Sequence, residues 1–272
     1  MSLDLNFERR PQVMGILNMT PDSFSDGGHF NRPQAAVERV RQMISEGADI
    51  IDIGGESTRP GAPAVSEEEE LARVIPVIEA IRRDSAIPIS VDTSKPAVMH
   101  AAVTAGASLI NDVRALQEPG ALEVAAQLDV PICLMHMQGQ PRTMQASPHY
   151  DDVVEEVLAF LQQRIAACQA VGIAPARLII DPGFGFGKTV PHNLALFRHL
   201  QRFVDTGHPV LVGVSRKSMI GKLLGERPVD ERLAGSLALA TLAGWLGAAI
   251  VRVHDVRESA DALTLCRAVQ QA

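Results

Sequence analysis

The amino-acid sequence predicts a parallel α/β fold that closes into a single (β/α)8 (TIM) barrel. Eight short apolar runs rich in Val and Ile recur along the 272 residues, as expected for strands buried on both faces. Stretches with helical spacing of their apolar residues separate most of these runs. The chain length and the lack of a linker-like segment favour one closed barrel, a single domain over residues 1–272, rather than an open sheet.

Each strand candidate is a short apolar segment, and several are followed by polar or glycine-rich residues. The candidates are 13–17, 48–53, 88–92, 108–112, 130–136, 177–181, 209–214 and 249–254. The predicted helices are 33–46, a helix that begins at Ser66, 96–104, 120–127, 151–171, 192–203, 230–246 and 257–269. Four glutamates follow Ser66, which indicates an N-cap with acidic residues beside the positive end of the helix dipole.

Composition excludes several classes of protein. The net charge of −7 and the lack of a long basic run argue against a nucleic-acid-binding protein, although a few cations in one cleft would still accept an anionic substrate. Cys133, Cys168 and Cys266 lie far apart without metal-ligand spacing, and their scarcity fits a reducing cytoplasm. The N-terminus does not have the form of a signal peptide.

One apolar segment, 233–251, approaches the length of a membrane span. It is rich in Ala and Gly, contains Ser236 and Thr241, and passes through Gly247 into a predicted strand. We therefore interpret it as a buried helix and expect no membrane partner. A helix that is apolar on all sides needs cover on all sides, so part of it is expected to face a partner subunit.

A barrel of this kind carries its functional side chains at the carboxyl ends of its strands, on one rim. The predicted strand ends supply a ring of polar residues that barrel stability does not require. They are Asn18, the segment 56–59, Asp92, Asn111, His136, Asp181, the segment 215–217, Arg252 and His254. One or two could be satisfied polar groups of the core, but a ring of them indicates a binding site.

The rim residues divide into two chemistries. The first set offers carboxylates, a carboxamide and an ammonium, which suit a flat heterocycle with an edge of N–H donors: Asp92, Asn111, Asp181 and Lys217. The second set suits phosphate or pyrophosphate: Asn18, Arg59, Arg252 and His254. Asn18 is also a candidate ligand for Mg²⁺ held mainly by phosphate oxygens and water.

Structural explanations remain open for individual residues. Asp181 precedes a Pro-Gly pair and could merely stabilise a turn, and Asp92 could cap a helix. Arg252 and His254 alternate along one strand and point to the same side, which a structural role explains poorly. Lys217 opens a helix, where a cation is unfavourable beside the dipole, so a functional role is favoured.

Two further features give no recognised motif. The segment 181–189 looks like a phosphate-binding loop, but Pro182 stands where such a loop requires Gly. We interpret the segment as a flexible loop that presents Phe186 as a stacking face. His136 lies at a strand end without a second His or Cys at metal spacing, so a structural role is favoured over a metal ligand.

Taken together, these segments make the chain resemble the dihydropteroate synthases, a pterin-binding family of folate biosynthesis, from Val13 onward. The segments that carry the resemblance are GILNMTPDSFSDGG at 15–28, DIGGESTRPG at 52–61, SVDT at 90–93, IND at 110–112, LMHM at 134–137, DPGFGFGK at 181–188, GVSRK at 213–217 and VRVHD at 251–255. The combination is specific, although no single segment is. No expected functional position departs from the family pattern.

The resemblance implies a transferase that joins 6-hydroxymethyl-7,8-dihydropterin pyrophosphate to 4-aminobenzoate, with 7,8-dihydropteroate and pyrophosphate as products. It implies that the pterin is held by Asp92, Asn111, Met135, Asp181, Phe186, Gly213 and Lys217. Pyrophosphate is expected on Asn18, Arg59, Arg252 and His254, with Mg²⁺ on Asn18. The 4-aminobenzoate site and its loops are expected to comprise Phe24, Ser25, Asp26, Thr58, Arg59, Pro60, Phe186 and Ser218. Sulfonamides are implied as competitors of 4-aminobenzoate, and a homodimer as the assembly.

The expected chemistry needs no general base, because the aromatic amine that attacks is already neutral. Asp92, Asp181, Lys217, Arg252 and His254 are the candidate catalytic residues. Cations at one end of the cleft would neutralise the departing pyrophosphate, while the dihydropterin ring spreads positive charge in a dissociative, SN1-like path. The two aspartates would stabilise that charge.

Three alternatives share parts of this site. A methyltetrahydrofolate methyltransferase would hold a pterin in the same way but would not need Arg59, Arg252 and His254 together. A non-catalytic pterin-binding paralogue predicts a damaged first or second rim loop, and both loops are intact in sequence. A phosphosugar barrel enzyme would carry glycine-rich phosphate loops after its last strands, and the sequence lacks them there.

Overall fold

A computed structural model of the chain describes residues 10–19, 32–57, 61–140 and 143–272. It contains the strands β1 Gln12–Asn18, β2 Ile50–Gly54, β3 Ile89–Asp92, β4 Leu109–Asp112, β5 Ile132–Met135, β6 Leu178–Asp181, β7 Leu211–Val212 and β8 Ile250–Val253. Each overlaps one of the eight apolar runs predicted as strands. The ends differ by one to a few residues, most clearly at β7, which is shorter than the predicted 209–214.

The strands form one parallel sheet in which β1 to β6 follow each other in chain order and β8 lies between β1 and β7. The sheet closes between β6 and β7 through a single parallel bridge that joins Ile180 and Val210. The backbone N–H of Ile180 also donates to the Pro209 carbonyl at 3.0 Å. The predicted (β/α)8 barrel is therefore confirmed, with its weakest seam beside β7.

The helices of the described residues are α1 Arg32–Ser45, α2 Glu67–Asp84, α3 Pro96–Ala105, α4 Ala121–Gln127, α5 Val153–Ala170, α6 Val190–Arg198, α7 Leu200–Val204, α8 Ser218–Leu223, α9 Leu233–Trp245 and α10 Val256–Gln271. The predicted cap of α2 is confirmed, because the Ser66 side chain accepts from the Glu69 backbone N–H at 3.1 Å. The predicted helix 192–203 is wrong as one element. His199 leaves helical dihedral angles and divides it into α6 and α7.

Two apolar layers hold the barrel together. Inside it, alternate strand residues form a buried cluster of Met14, Ile50, Leu109, Cys133, Ile179, Leu211, Ala249 and Ile250. The intervening strand residues, such as Val13, Ile51 and Val91, pack outward against the helices in a larger cluster. The inner cluster is the floor on which the polar rim is built, and we call it the barrel floor.

The apolar segment 233–251 does not form one helix. It consists of α9, a short connection and the start of β8. None of the helices in the described ranges is long and apolar enough to cross a membrane. Leu242 is 49% exposed and Trp245 is 53% exposed on the outer face of α9, so this chain alone does not cover the helix on all sides. The expectation that part of it faces a partner subunit stays a prediction.

Candidate active site

A polar layer lies directly above the barrel floor. On each even-numbered strand, the residue two positions after the floor residue is polar: Asp52, Asn111, Asp181 and Arg252. Because side chains alternate along a strand, these residues point into the barrel like the floor residues below them. The strands therefore bring two carboxylates, a carboxamide and a guanidinium together beneath the mouth.

The guanidinium of Arg252 joins two carboxylates in this layer. Its Nε donates to Asp52 Oδ2 at 2.6 Å, and its Nη2 donates to Asp92 Oδ2 at 2.9 Å. The Asn111 amide donates to both oxygens of Asp52 at 3.4 Å, and Asp52 is fully buried. Burial would lower the pKa of Arg252, but the charges of Asp52 and Asp92 outweigh burial and raise it. Arg252 is thus a fixed cation that connects β8 to β2 and β3.

Asp92 ends β3 and is nearly buried. Burial and the charge of Asp52 raise the pKa of Asp92 to about 7, against the opposing charge of Arg252. The interpretation of Asp92 as a helix cap is not supported, because Lys95 occupies the N-cap of α3 and makes no side-chain cap bond. A ligand N–H that donates to Asp92 would favour its ionised form.

Asp181 ends β6 and combines both roles that the sequence left open. Its Oδ1 accepts from the Gly183 backbone N–H at 2.7 Å, so it does stabilise the turn that follows. Burial raises the pKa of Asp181 to about 6, while the Gly183 hydrogen bond and the charges of Lys217, Lys188 and Arg252 oppose this rise. The carboxylate belongs to the polar layer as well, where several cations favour its ionised form.

Lys217 and Phe186 form a cation–π pair beside the polar layer. The ammonium of Lys217 lies 4.1 Å from the centroid of the Phe186 ring. Lys217 is the N-cap residue of α8, so the prediction that it opens a helix is confirmed. Gly185 allows the approach, because a Cβ at that position would lie 3.1 Å from Lys217 Cδ. Ser218, the first residue of α8, is exposed next to Lys217.

An apolar wall borders the same layer. Met135, at the end of β5, belongs to a small buried cluster with Val113 and Phe186. Gly213, just after β7, leaves room beside Arg252, because a Cβ there would lie 3.9 Å from the Arg252 Cβ. Flat apolar surface and hydrogen-bonding groups therefore meet in one place, as a planar heterocycle requires.

The anion end of the site lies where the last strand meets the first. His254 follows β8 and is two residues after Arg252, and its Nδ1 lies 3.0 Å from Ser215 Oγ. The same hydroxyl accepts from the His254 backbone N–H at 3.2 Å. Asn18 is the last residue of β1, and β1 pairs with β8. Its side chain therefore lies at the end of the strand next to the one that His254 follows. Asn18 and His254 thus share one sector of the rim.

The glycines of 181–189 serve close packing, and the interpretation of this segment as a flexible loop is corrected. Gly183 has φ +70°, and a Cβ there would lie 1.8 Å from the His136 carbonyl oxygen. Gly187 has φ +61°, and a Cβ there would lie 2.4 Å from the Gln138 carbonyl oxygen. The segment after β6 therefore lies directly on the segment after β5, and in this arrangement it presents Phe186.

A cavity of about 360 Å³ opens beside Asp92 and Val113, a size that suits a small bicyclic ligand. Lys95 also lines it and is ion-paired with Glu56 and Glu70. This triad ties the segment after β2 to α2 and α3. It therefore fixes the border of the cavity on the side of the second rim loop.

Some functional residues were missed or lie outside the described ranges. Six predicted loop residues fall in the latter group: Phe24, Ser25, Asp26, Thr58, Arg59 and Pro60. Sequence analysis did not select Asp52, although a carboxylate inside an otherwise apolar strand is a usable signal, because such a group needs a buried partner. It also passed over Lys188, whose burial follows from the contact of two loops and leaves no pattern in the sequence.

Mg²⁺ stays a prediction, and the described residues would hold it only by sharing it with phosphate and water. Within the part of the chain that the structure describes, no group of three or more His, Cys, Asp or Glu side chains could hold a metal ion. Mg²⁺ commonly takes one or two protein oxygens and fills its other positions with phosphate and water. The amide oxygen of Asn18, at the anion end of the rim, is a donor of this kind.

Comparison with known proteins shows the family to which the chain belongs. The sequence pattern of a family described as pterin binding enzyme matches residues 14–254. The dihydropteroate synthase of Haemophilus influenzae is 57% identical over 262 residues, which cover 96% of this chain and 95% of the relative. The dihydropteroate synthase of Escherichia coli K12 is 56% identical over 271 residues, which cover 100% of this chain and 95% of the relative.

Solved structures give the same result. The Yersinia pestis dihydropteroate synthase in a sulfonamide drug complex has a TM-score of 0.93 and 54% identity, covering 100% of this chain and 98% of that chain. The Xanthomonas albilineans enzyme with 4-aminobenzoic acid has a TM-score of 0.92 and 55% identity, covering 98% and 95%. Its complex with 7,8-dihydropteroate has a TM-score of 0.88 and 51% identity, covering 100% and 96%. The chain therefore belongs to the pterin-binding enzymes and, within them, to the dihydropteroate synthases.

Proposed function

We propose that the protein condenses 6-hydroxymethyl-7,8-dihydropterin pyrophosphate with 4-aminobenzoate to give 7,8-dihydropteroate and pyrophosphate. The observation that carries this proposal is the polar layer, in which Arg252 is ion-paired with Asp52 and Asp92 and shares the barrel mouth with Asn111 and Asp181. The Xanthomonas albilineans relative binds 4-aminobenzoic acid and 7,8-dihydropteroate, which are a substrate and the product of this reaction. The Yersinia pestis relative binds a sulfonamide drug, so sulfonamides are expected to compete here too.

The polar layer would recognise the pterin by its donor edge. Asp92 and Asp181 are buried acceptors, and the pterin ring offers N–H groups that would replace the water these carboxylates have lost. Met135 and Phe186 would supply apolar surface for the ring faces, and Lys217 would supply a donor from its position over the Phe186 ring. The ring would therefore be oriented before any bond changes, which lowers the entropic part of the barrier.

The anion end would assist the departure of pyrophosphate. His254 and Asn18 form its described part, and Arg59, outside the described residues, is expected to complete it. Arg252 is already ion-paired with Asp52 and Asp92, so its donors are committed to these carboxylates. We propose that it stabilises the leaving group through its fixed positive charge, from the polar layer below the rim. Mg²⁺ bound by Asn18 and phosphate oxygens would supply further neutralisation of the leaving group.

The bond that breaks joins the exocyclic CH2 of the pterin to a pyrophosphate oxygen, and the new bond joins that CH2 to the amine nitrogen. The amine is neutral and needs no base before it attacks. We propose a dissociative course, in which the ring carries positive charge while pyrophosphate leaves. Asp92 and Asp181, as carboxylates in a water-poor layer, would stabilise that charge more strongly than they could in water.

The alternatives are less well supported. Relatives with more than half of their residues identical to this chain are dihydropteroate synthases, and the chain covers nearly their whole length. A methyltetrahydrofolate methyltransferase has no pyrophosphate to bind and would not need the sector of the rim that holds Asn18 and His254. We also propose that the chain works as one domain and, in agreement with its few cysteines, in the cytoplasm.

The first prediction concerns the reaction itself. Purified protein is expected to form 7,8-dihydropteroate from the two substrates when Mg²⁺ is present and to lose most of this activity when a chelator removes it. Asn18→Ala should raise the Mg²⁺ concentration that gives half of the maximal rate. Chromatography of the product would measure both effects. Tight pterin binding without any product would support the non-catalytic paralogue instead.

The second prediction concerns Asp52, which holds Arg252 in place. Asp52→Asn is expected to lower kcat/KM for the pterin pyrophosphate by at least about tenfold, because it removes one partner of a buried ion pair. Asp129→Asn, which changes an exposed aspartate outside the site, is the matched control and should have little effect. Steady-state kinetics at one pH would measure the change. Wild-type kinetics in Asp52→Asn would contradict the assigned positioning of Arg252.

The third prediction concerns pH. The pKa of Asp92 is raised to about 7 and that of Asp181 to about 6, so both lose protons as the pH rises through this range. Ionised carboxylates accept from pterin N–H groups, so the affinity for a pterin is expected to rise from about pH 5 to about pH 7, by up to about tenfold per pH unit for each carboxyl that must ionise. Calorimetry with a pterin that lacks phosphates would test this, since phosphates themselves titrate near this range. An affinity that stays constant with pH would refute the role of the two carboxylates.

The fourth prediction concerns a homodimer, which we propose forms on the outer face of α9 and α10. Leu242 and Trp245 on α9 and Leu265 and Val269 on α10 are about half exposed or more, although all four are apolar. We expect light scattering to give twice the mass of one chain. Trp245→Arg should shift the protein toward the monomer. Val171→Arg, at an exposed apolar position after α5, should not.

A further inference from the structure

The side chain of Lys188 is buried although it is the residue type least suited to burial. Lys188 is 3% exposed. Its Nζ lies 2.9 Å from His136 Nδ1 and donates to the carbonyl oxygens of Gly183 at 2.9 Å, Phe186 at 3.0 Å and His136 at 3.3 Å. None of these four acceptors is a carboxylate. An ammonium has three N–H donors, so the acceptors share them, and a nitrogen of a neutral imidazole completes the set.

This arrangement has the form of a cation held by carbonyl oxygens. Carbonyl dipoles replace the hydration shell of a bound cation when several of them converge on it. Burial lowers the pKa of Lys188 to about 7, with the charge of Asp181 opposing this effect, so the side chain is an ammonium mainly below about pH 7. Burial also lowers the pKa of His136 to about 2, so its imidazole stays neutral and able to accept. An apolar side chain of the same length would fill the space without this desolvation cost.

The carbonyl groups that accept hydrogen bonds from Lys188 belong to the two segments that carry the proposed pterin-binding groups. His136 follows Met135 at the end of β5, while Gly183 and Phe186 belong to the segment after β6. The Gly183 N–H is in turn bonded to Asp181, and the Phe186 ring is in contact with the Lys217 ammonium. Gly183 thus links the Lys188 ammonium to the Asp181 carboxylate, and Phe186 accepts from the same ammonium through its carbonyl oxygen. The Asp181 carboxylate and the Phe186 ring are the groups that would face the pterin.

We propose that Lys188 is a positioning residue of the pterin site, whose ammonium acts as a built-in cation that binds the carbonyls of His136, Gly183 and Phe186. It fixes the carboxylate of Asp181 and the ring of Phe186 without touching the substrate. Its charge also favours the ionised form of Asp181. This inference rests on the proposed pterin binding.

The test compares three variants in their affinity for a pterin without phosphates. Lys188→Met keeps the length but removes the charge and the donors, and it is expected to weaken pterin binding by about tenfold while the protein stays folded. Lys188→Ala removes the side chain and leaves space among the same carbonyls. Lys222→Ala, an exposed lysine of α8, is the matched control and should bind like the wild type.

Chemical rescue distinguishes a role for the charge and N–H donors of Lys188 from a role in filling space. Methylammonium is small enough to enter the space left in Lys188→Ala and should restore pterin affinity by about fivefold or more. Tetramethylammonium at the same ionic strength has no N–H donor and should not. Wild-type affinity in Lys188→Met, or no rescue of a folded Lys188→Ala, would overturn the proposal. Failure of the wild type to bind any pterin would instead refute the proposed function.

A measurement on the unchanged protein covers the case in which the variants do not fold. Nitrogen NMR of the imidazole should show His136 neutral, with Nδ1 unprotonated and hydrogen-bonded, at pH values well below the usual histidine pKa. Protonation of His136 near its usual pKa would show that Lys188 does not donate to it, and the proposal would fall. His208, a half-buried histidine between α7 and β7 whose backbone N–H donates to Thr206 Oγ1, is the internal reference.

Discussion

The site depends on the guanidinium of Arg252 between two buried carboxylates. Asp52 and Asp92 lie on adjacent strands, and without a cation between them two negative charges would share a water-poor layer, which is strongly unfavourable. Arg252 reaches both from β8, across the neighbouring strand β1. Its planar fork has donors in fixed directions, so it sets where the two carboxylates point as well as their charge. The geometry of the polar layer therefore follows from this ion-pair triad.

The same electrostatics explain why a pterin suits the layer. Burial drives the pKa of Asp92 and Asp181 upward, and the surrounding cations only partly offset it, so both carboxyls lie near the balance between protonated and ionised. A ligand that brings N–H donors tips that balance toward the ionised form. A ligand that offered acceptors would instead favour the protonated carboxyls, at the cost of the ion pair between Asp92 and Arg252. We therefore propose that the layer favours a ligand with an edge of N–H donors, a property that a pterin has.

How far the sequence predicted this structure depends on the range of the interactions involved. Strands and rim residues follow from local patterns, so all eight strands and residues such as Asp92, Asp181 and Arg252 were found from hydrophobic runs and their ends. The hydrogen-bond and ion-pair partners of these residues were not predicted in this way. Asp52 and Arg252 lie 200 positions apart, and only the closed barrel brings them together. Lys188 and the glycines at 183 and 187 depend on how two loops meet, so a local reading mistook close packing for flexibility.

The pterin layer alone does not decide which reaction follows. Any enzyme that holds a pterin needs acceptors for its donor edge and an apolar surface for its faces, and a methyltransferase would need the same groups. We propose that the departure of pyrophosphate is specified by the sector above Arg252, where Asn18 and His254 follow from the neighbouring strands β1 and β8. Negative charge grows there as the bond breaks, so groups fixed in that sector act on the transition state more than on the bound substrate. We therefore propose a division by height: the lower layer recognises the ring and stabilises its developing charge, and the upper rim acts on the departing pyrophosphate.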